Sequence, residues 1–505
     1  MIMENVMPSP LQNPATTTPQ TTVPRTGIGS WLLTEDHKRI SLMFLGSALF
    51  FFLLGAILAI VARLGLPDAG YPFLSQTAYT RLMEAHGTIM VLLFVIPAIP
   101  ATLGAYFLPN LLHSRNLPFP RLHLMSLYLY WMGGIFALIG SLASATPIGW
   151  TMIETFFTDD PTLFAVVWLG SGILTLGASA VLRSINFVVA IHKMRPIGMS
   201  WQDLPLFVWG LYISAAIQIV VMLLMGLSSQ LLILEKTLQL GLFDPKLGGD
   251  ILLYRHFFWF AAYPAVYSAL LPAIGLMADV LAGSTGRHAF GRPFLVWMMG
   301  TYGILSFMVW GQQFVNAGQS EFASILFAAF ANLALVPLAV VVANMLTSLY
   351  QSNLELRTPI LYVFTFLFML TVSLISSLVL GALNVSSYLG TTTYATAQFH
   401  YMMLGGLTIA FLGGLHYYWK HITGTNYHES VAQWAIGLMF LGINGTFFTL
   451  MVMGSNGLEQ RTYAYPEMFG TFQVLTTLSA VLLGLGIIIT FANLIWSLAS
   501  KKQKN

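Results

Sequence analysis

The sequence predicts an all-α integral membrane protein, a bundle of twelve transmembrane helices. Three observations support this prediction: 57% of the 505 residues are hydrophobic, only 8% are charged, and long apolar runs recur along the chain. A soluble globular protein carries about 25% charged residues, so this composition excludes that class. Each apolar run supplies the roughly 20 residues needed to cross about 30 Å of hydrocarbon.

The first element is a polar tail, residues 1–30, which is rich in Pro, Thr, Ser and Asn. It cannot bury enough apolar surface to fold and is predicted to be disordered and cytoplasmic. One integral domain, 31–500, follows, and a basic cytoplasmic tail, 501–505, ends the chain. The predicted spans 1 to 12 are 39–63, 78–108, 121–145, 162–190, 204–234, 253–283, 291–316, 319–347, 358–383, 392–418, 431–455 and 467–498.

The orientation of the spans is predicted from the basic residues, which collect on the cytoplasmic side of membrane proteins. With the N-terminus inside, fifteen basic residues fall on the cytoplasmic side: Arg25, Lys38, Arg39, Arg115, Arg121, Arg183, Lys193, Arg195, Arg287, Arg292, Arg357, Lys420, Lys501, Lys502 and Lys504. The other six fall outside: Arg63, Arg81, Lys236, Lys246, Arg255 and Arg461. Both termini are therefore expected in the cytoplasm of a prokaryote, with the protein in the inner or plasma membrane.

The absence of cysteine limits the cofactors that the chain can hold. It excludes disulfides, Cys-ligated zinc or iron–sulfur clusters, a thiolate copper centre and a covalently attached c-type heme in this chain. The net charge of +3 is too small to indicate a nucleic-acid partner. A cofactor must therefore depend on histidine or oxygen ligands.

Five histidines lie within predicted spans, and ionisable groups inside a membrane are candidates for function. They are His86, His123, His256, His400 and His416. His86 and His400 each lie about eight residues into a span that enters from outside, so both imidazoles are expected roughly 12 Å below the outer surface. Two imidazoles at matched depth suit bis-histidine ligation of a heme iron. Each of the five histidines could instead be a hydrogen-bonded packing residue.

Glycines near these two histidines are consistent with the binding of a flat cofactor. Gly87 follows the first histidine, and Gly405 and Gly406 follow the second. Because glycine has no side chain, all three are expected to leave room for a macrocycle.

The local sequence around these histidines extends the argument. The stretches in question are WLLTEDHKRI (31–40), AHGTIMVLLFVIPAIPATLGAYFLPN (85–110), FPRLH (119–123), LYRHFFWFAAYPAVYSALLPAIG (253–275), QFHYMMLGG (398–406) and YPEMFGTFQ (465–473). In order and spacing they resemble subunit I of the heme–copper oxidases, most closely the cytochrome c and quinol oxidase branch. The resemblance covers essentially the whole chain. It implies a low-spin heme, of a or b type, held by His86 and His400, the pair that the depth argument also selects.

The same resemblance indicates what this chain has lost. The three copper-ligating histidines of the family correspond here to Tyr263, Gln312 and Gln313, and the ligand of the high-spin heme corresponds to Gln398. Copper in such a site prefers imidazole, whereas a carboxamide is a weak neutral donor and a phenol ionises near pH 10. We therefore predict no copper and a vacated site, to which Tyr267 also belongs.

Two interpretations of the vacated site remain open. Its amides and phenols either fill the pocket and hydrogen-bond to one another or to water, or they line a changed pocket for another small molecule or a second heme without a protein ligand.

The groups that carry protons in the resembled family are also replaced. The corresponding residues are Ala265, Asn116, Gly390 and Thr391, and residues 319–347 contain no Lys or Arg. Without acidic or basic relays, proton delivery through apolar helices is not expected.

Of the two arginines that the resemblance implies for the heme propionates, one is Gln460 and only Arg461 remains. Arginine pairs bidentately with carboxylates, so we expect Arg461 to bind a propionate.

The sequence thus favours an electron-transfer subunit of a respiratory complex, relaying electrons through one heme and neither reducing oxygen nor pumping protons. Its expected partners are other membrane subunits and, on the outer face, a cytochrome c, a quinol or a redox subunit as electron donor. Two alternatives stay open: a structural scaffold subunit of a respiratory complex, and a divergent oxygen or nitric oxide reductase with a remodelled site. Membership in a fold family does not decide between these activities.

Overall fold

The computed structural model describes residues 27–66, 73–143, 147–157, 163–287, 291–350 and 354–502, with side chains described up to residue 499. Most of both predicted tails, 1–26 and 503–505, lies outside the described residues. A short helix, Ile28–Leu32, begins within the predicted N-terminal tail, and the last helix continues to Lys502, beyond the predicted domain end. The described residues form helices and loops, with one isolated antiparallel bridge between Thr392 and Glu459.

Twelve helical stretches in the described residues correspond to the twelve predicted spans. They are α1 His37–Leu64, α2 Gln76–Leu111, α3 Pro120–Leu142, α4 Leu163–Lys193, α5 Leu206–Leu238, α6 Ile251–Thr285, α7 Arg292–Phe314, α8 Glu321–Leu349, α9 Thr358–Gly381, α10 393–423, α11 Glu429–Ser455 and α12 467–502. The predicted and observed ends differ most at the end of α10, predicted at 418 and found at 423. The predicted all-α membrane bundle is confirmed.

Eleven of these described helices are long and apolar enough to cross a membrane, and α10 is not among them. It is built from the α-helix Thr393–His400, the π-helix Tyr401–Thr408 and the α-helix Ile409–Thr423. Its sequence includes Gln398, His400, His416 and four glycines, which lower its hydropathy. Such residues are tolerated because most of its π-helical and following α-helical parts are buried inside the bundle.

Side chains at the loop boundaries start several helices. The Asp36 carboxylate accepts a hydrogen bond from the backbone N–H of Lys38 at 2.9 Å, and Ser75 and Ser320 cap α2 and α8 in the same way. These caps satisfy N–H groups that have no partner within the first turn of a helix. At the other end of α10, Gly424 adopts the left-handed backbone conformation, with φ 73°, that terminates a helix.

Glycines allow α3 and α4 to approach closely. A Cβ atom at Gly133 would lie 2.9 Å from the backbone nitrogen of Leu176 and 3.1 Å from the carbonyl of Gly172. A Cβ atom at Gly140 would lie 2.5 Å from the backbone nitrogen of Leu169. In a membrane, where the hydrophobic effect does not drive helices together, such small residues permit the van der Waals contact that does.

The interior of the bundle is formed mainly by α2 and α6. In the most apolar 18-residue stretch of each helix, 89% of α2 and 83% of α6 is buried, compared with 22% of α12. The inner helices are therefore those that carry His86 and Tyr263, whereas α12 lies at the periphery.

Candidate cofactor site

A cavity of about 860 Å³ lies inside the bundle, lined by α1, α2 and the helices from α6 to α12. This volume falls within the range of about 300–1,000 Å³ typical of ligand pockets. The cavity brings together all eight residues predicted as site residues from the sequence: His86, His400, Arg461, Tyr263, Tyr267, Gln312, Gln313 and Gln398.

The imidazole rings of His86 and His400 face each other across this cavity. Their centroids are 6.2 Å apart and their planes are inclined by only 7°. The Nδ1 atom of His86 lies 2.9 Å from the carbonyl oxygen of Gly55, and Nδ1 of His400 lies 2.7 Å from that of Thr396. With Nδ1–H donating to a carbonyl, the Nε2 atom of each neutral imidazole keeps a lone pair for a metal.

The separation of the two rings fits a shared metal ion. A metal bound by imidazole lies about 2.0–2.1 Å from the ring nitrogen, so two coaxial rings on one ion have centroids about 6 Å apart. The measured 6.2 Å agrees with that spacing. The spacing of His86 and His400 would therefore allow the two imidazoles to hold one metal ion, such as a heme iron, between them.

The glycines near the pair have different roles. Gly87 lines the cavity, and a Cβ atom there would meet nothing within 4 Å. In contrast, a Cβ at Gly405 would lie 2.6 Å from Cβ of Met369, and one at Gly406 would lie 3.3 Å from Cδ1 of Leu270. The expectation that Gly405 and Gly406 leave room for a macrocycle is wrong, because both allow close helix packing instead.

Both histidines lie immediately before π-helical segments. His86 belongs to the last turn of Gln76–Thr88, which the π-helix Ile89–Val95 follows, and His400 directly precedes the π-helix Tyr401–Thr408. Wider π turns rotate the helix that follows, and they are frequent at functional sites. In α2, Pro97 lacks the N–H of a regular helix and separates the first π segment from a second one, Ala98–Gly104.

Gln398 and His400 project to different sides of α10, as their two-residue spacing predicts. His400 faces His86 on α2, whereas Nε2 of Gln398 donates to Oγ of Ser377 at 2.7 Å and contacts Oγ of Ser373 at 3.4 Å. Both serines belong to α9. The cavity thus extends past both faces of α10.

On the side that the sequence predicts to be vacated, the two tyrosines of α6 form a pair. Their rings are stacked with centroids 4.5 Å apart, and the Tyr267 hydroxyl donates to the Tyr263 hydroxyl at 3.2 Å. Nε2 of Gln312 donates to Oγ of Ser386 at 2.9 Å. These side chains therefore partly satisfy one another and their serine neighbours.

Some polar atoms on this side have no hydrogen-bond partner within the protein. They include the Tyr302 hydroxyl and Oε1 of Gln312, and both residues line the cavity. Among the residues that the structure describes, no three His, Cys, Asp or Glu side chains come close enough to hold a metal ion together.

Arg461 lies at the end of the cavity that the predicted orientation places outside, and it is held by two carboxylates of the chain itself. Its Nη1 is 2.6 Å from Oε1 of Glu84 and 3.2 Å from Oε1 of Glu154. Burial lowers the pKa of Arg461, but the two carboxylates outweigh burial and leave that pKa raised. Its backbone has a positive φ of 64°, which non-glycine residues seldom adopt. The sequence reasoning did not find this contact.

A second arginine, Arg63 of α1, also lines the cavity. Its Nη2 donates to the carbonyl of Gln473 at 3.0 Å and its Nε donates to Oγ1 of Thr477 at 3.2 Å. Sequence reasoning counted Arg63 only as a charge at an outer helix end. Its place in the last turn of an apolar span was the sequence feature that could have indicated a role for Arg63 at the cavity.

The other intramembrane histidines do not line this cavity. His256 Nδ1 accepts a hydrogen bond from Trp310 Nε1 at 3.2 Å, and His416 Nδ1 lies 2.8 Å from the carbonyl of Leu412. His123 is fully buried, with its ring 5.9 Å from that of Phe44. These contacts agree with packing roles.

The sequence profile of the family described as Cytochrome C and Quinol oxidase polypeptide I matches residues 39–488. The chain belongs to this family. The family works as a membrane subunit of respiratory oxidase complexes. Residues 39–488 run from α1 into α12, so membership applies to the whole bundle.

Within this family, the chain is similar to cytochrome c oxidase subunit 1 of Bacillus subtilis. The two sequences are 29% identical over 470 residues, which cover 92% of this chain and 75% of that protein. Cytochrome c oxidase subunit 1 of Thermostichus vulcanus is 28% identical over 462 residues, covering 92% of this chain and 84% of the relative. Among solved structures, a heme-copper terminal oxidase dimer is similar in fold, with a TM-score of 0.73 and 18% identity over 91% of this chain and 84% of that chain.

Three of the positions predicted to have lost proton carriers make hydrogen bonds or close packing contacts. Asn116 Oδ1 lies 2.9 Å from Nδ1 of His37, and the Ala265 carbonyl accepts from Gln218 Nε2 at 2.7 Å. A Cβ atom at Gly390 would lie 2.6 Å from the carbonyl of Ser386, so this position has no space for a side chain.

Proposed function

We propose that this chain is the electron-transfer subunit of a membrane respiratory complex, binding one low-spin heme through His86 and His400 and neither reducing oxygen nor pumping protons. The main support is the geometry of the two imidazoles, with centroids 6.2 Å apart and planes inclined by 7°. A heme held by these two imidazoles would supply reversible one-electron transfer, with little rearrangement of the residues that hold it.

The chain's own groups hold the two ligands in place. The carbonyls of Gly55 and Thr396 accept from Nδ1 and so fix which nitrogen of each ring remains available. The Phe447 ring stacks on His400 at 4.5 Å with an interplanar angle of 16°. Apolar side chains such as Phe94 and Met90 line the cavity and exclude water from the ligands.

Arg461 and Arg63 are our candidates for holding the heme's carboxylates. Both line the cavity, and arginine matches a carboxylate through two parallel hydrogen bonds. Arg461 is already paired with Glu84 and Glu154, so a propionate would share this guanidinium with them.

The proposed loss of oxygen chemistry rests on the residues that replace the metal ligands. Tyr263 and Tyr267 hydrogen-bond to each other, and Gln398 hydrogen-bonds to serines of α9. An amide that donates to serines offers a metal only a weak neutral oxygen, whereas copper in such a site prefers imidazole. The replaced proton carriers support the same conclusion, because a proton crossing apolar helices needs ionisable relays.

We further propose that the twelve helices form one domain, 31–500, with both termini in the cytoplasm, as the bias of basic residues indicates. Electrons would then arrive at the outer face from a cytochrome c, a quinol or a redox subunit. Because this chain has no cysteine, a dicopper centre or covalent heme that delivers electrons would belong to another chain.

Pyridine hemochrome stoichiometry, combined with a carbon-monoxide difference spectrum of the purified chain, tests the proposal. We expect one heme per chain and no spectral shift with carbon monoxide. Two hemes with a shift would contradict the proposal and support the reductase alternative. Reduction of the heme within milliseconds by its donor would distinguish an electron relay from a scaffold.

A further inference from the structure

A second cavity, of about 310 Å³, lies between the first turns of α5 and α7, away from the site described above. We call it the α5–α7 groove. Its lining includes Trp209, Ile213, Arg292, Val296, Trp297 and Gly300. Because α5 begins at Leu206 and α7 at Arg292, the groove starts at one end of the bundle.

The end of the groove near the helix starts is polar and cationic. Nη2 of Arg292 donates to the carbonyl of Asp203 at 3.2 Å and to that of Leu204, which fixes the guanidinium at the groove. The guanidinium of Arg195 stacks over the Trp201 ring at 4.2 Å. The Trp209 indole N–H donates to the Trp201 carbonyl at 3.2 Å.

Two carboxylates, those of Asp203 and Asp279, lie near this end, and neither lines the groove. Oδ1 and Oδ2 of Asp279 accept hydrogen bonds from the backbone N–H groups of Leu206 and Phe207. Oδ2 of Asp203 accepts hydrogen bonds from the backbone N–H and the hydroxyl of Ser200, both at 2.7 Å. These bonds lower the pKa of Asp203, so it stays ionised, but no ion pair joins it to Arg292 among the described residues. Of the charged groups at this end, only Arg292 lines the groove among the described residues, so a ligand in the groove meets a cation there.

The groove becomes apolar as it continues into the bundle. Ile213 lies seven residues into α5 and Gly300 eight residues into α7. At a rise of about 1.5 Å per residue, both lie roughly 10–12 Å from the helix starts. A Cβ atom at Gly300 would meet nothing within 4 Å, and the Trp297 side chain is 74% exposed, so the groove is open along its side.

We propose that the α5–α7 groove binds one anionic phospholipid, with its phosphate at Arg292 and an acyl chain along Ile213, Val296 and Gly300. Arginine binds a phosphate through two parallel hydrogen bonds, and tryptophans are enriched where membrane proteins meet lipid head groups. The cationic end of the groove matches the phosphate of such a lipid, and the indole rings lie at the boundary between head group and tail. The apolar part of the groove then matches an acyl chain. A zwitterionic lipid would bring its own cation towards Arg292.

Native mass spectrometry of the full chain, with phosphatidylglycerol or phosphatidylcholine added to the micelles, tests the proposal. The variant Gly300→Leu fills the apolar end without changing any charge. The control Gly437→Leu makes the same change on α11, where a Cβ atom also meets nothing within 4 Å. We expect the wild-type chain to retain one phosphatidylglycerol, and Gly300→Leu to bind it about tenfold more weakly while the control is unaffected.

Equal retention of the two lipids, or wild-type binding of phosphatidylglycerol by Gly300→Leu, would overturn the proposal. A change in the monomer-to-dimer ratio of Gly300→Leu, with phosphatidylglycerol binding unchanged, would assign the groove to a second copy of the chain and also overturn it. A second charge-neutral change, Val296→Trp, keeps the test decisive if Gly300→Leu does not fold. The test does not depend on heme content, so it is independent of the proposed function.

Discussion

Arg461, in the loop before α12, contacts Glu84, which lies two residues before His86 on α2, with 2.6 Å between Nη1 and Oε1. The Glu84 side chain is only 5% exposed, whereas that of Arg461 is 52% exposed. This ion pair joins the loop before α12 to the helix that carries a predicted heme ligand. It also means that the guanidinium at the outer end of the cavity already has carboxylate partners within the chain.

We expect Arg461→Gln to destabilise the protein, because it leaves the buried Glu84 carboxylate without its cation. Removing one partner of a fully buried pair costs about 3–5 kcal/mol, and the half-exposed arginine reduces this to about 1–3 kcal/mol. The measurement is thermal unfolding of the detergent-solubilised chain. Because the two carboxylates raise the pKa of Arg461, its guanidinium stays charged throughout the neutral range and loses that charge only as the pH rises through the raised pKa.

The matched control for this change is Arg357→Gln. Arg357 pairs with Glu355 at 2.7 Å, but both side chains are about three-quarters exposed, at 74% and 76%. An exposed pair contributes roughly 0–1 kcal/mol. Equal effects of the two substitutions would show that the contact with Glu84 does not stabilise the fold.

The His86→Ala and His400→Ala variants should each lose the low-spin heme spectrum. Removal of one imidazole leaves an open axial position, so we expect a high-spin spectrum or loss of the heme. Absorption spectroscopy of the purified variants gives the answer. His421→Ala, an exposed histidine near the end of α10, is the control and should keep the wild-type spectrum. Low-spin spectra in both ligand variants would refute the assignment.

Metal analysis of the isolated chain should find iron without stoichiometric copper. The reason is that Tyr263, Gln312 and Gln313 replace the three imidazoles that copper needs. Mass spectrometry of metals after treatment with a chelator makes the measurement. One copper per chain that survives the chelator would contradict this expectation.

Restoring the imidazoles alone should not restore oxygen reduction. We expect the quadruple variant Tyr263→His, Gln312→His, Gln313→His and Gln398→His to show no sustained oxygen uptake. Oxygen reduction consumes protons at the metal centre, and the proposed loss of proton carriers at Ala265 and Asn116 and along span 8, which contains no lysine, would still prevent their delivery. Oxygen-electrode measurements check this, and cyanide-sensitive uptake would show that loss of the ligands alone silenced the site.

The sequence by itself determined the membrane bundle and the choice of candidate residues. Apolar runs are local properties of the chain, so the predicted spans match the observed helices closely. The depth of His86 and His400 also follows from local counting, since the rise per residue of a helix is fixed. The replacements at Tyr263, Gln312, Gln313 and Gln398 are likewise visible in the sequence once the resemblance is recognised.

Only the tertiary structure decided how these residues meet. The 6.2 Å spacing of the two imidazoles, the ion pair of Arg461 with Glu84 and the position of Arg63 all depend on contacts between different helices and loops. Gly405 is a further example. A glycine near a predicted heme ligand suggests space for a cofactor, but Gly405 packs against Met369 on α9. No local pattern specifies which neighbour a helix face meets, because that depends on the packing of the whole bundle.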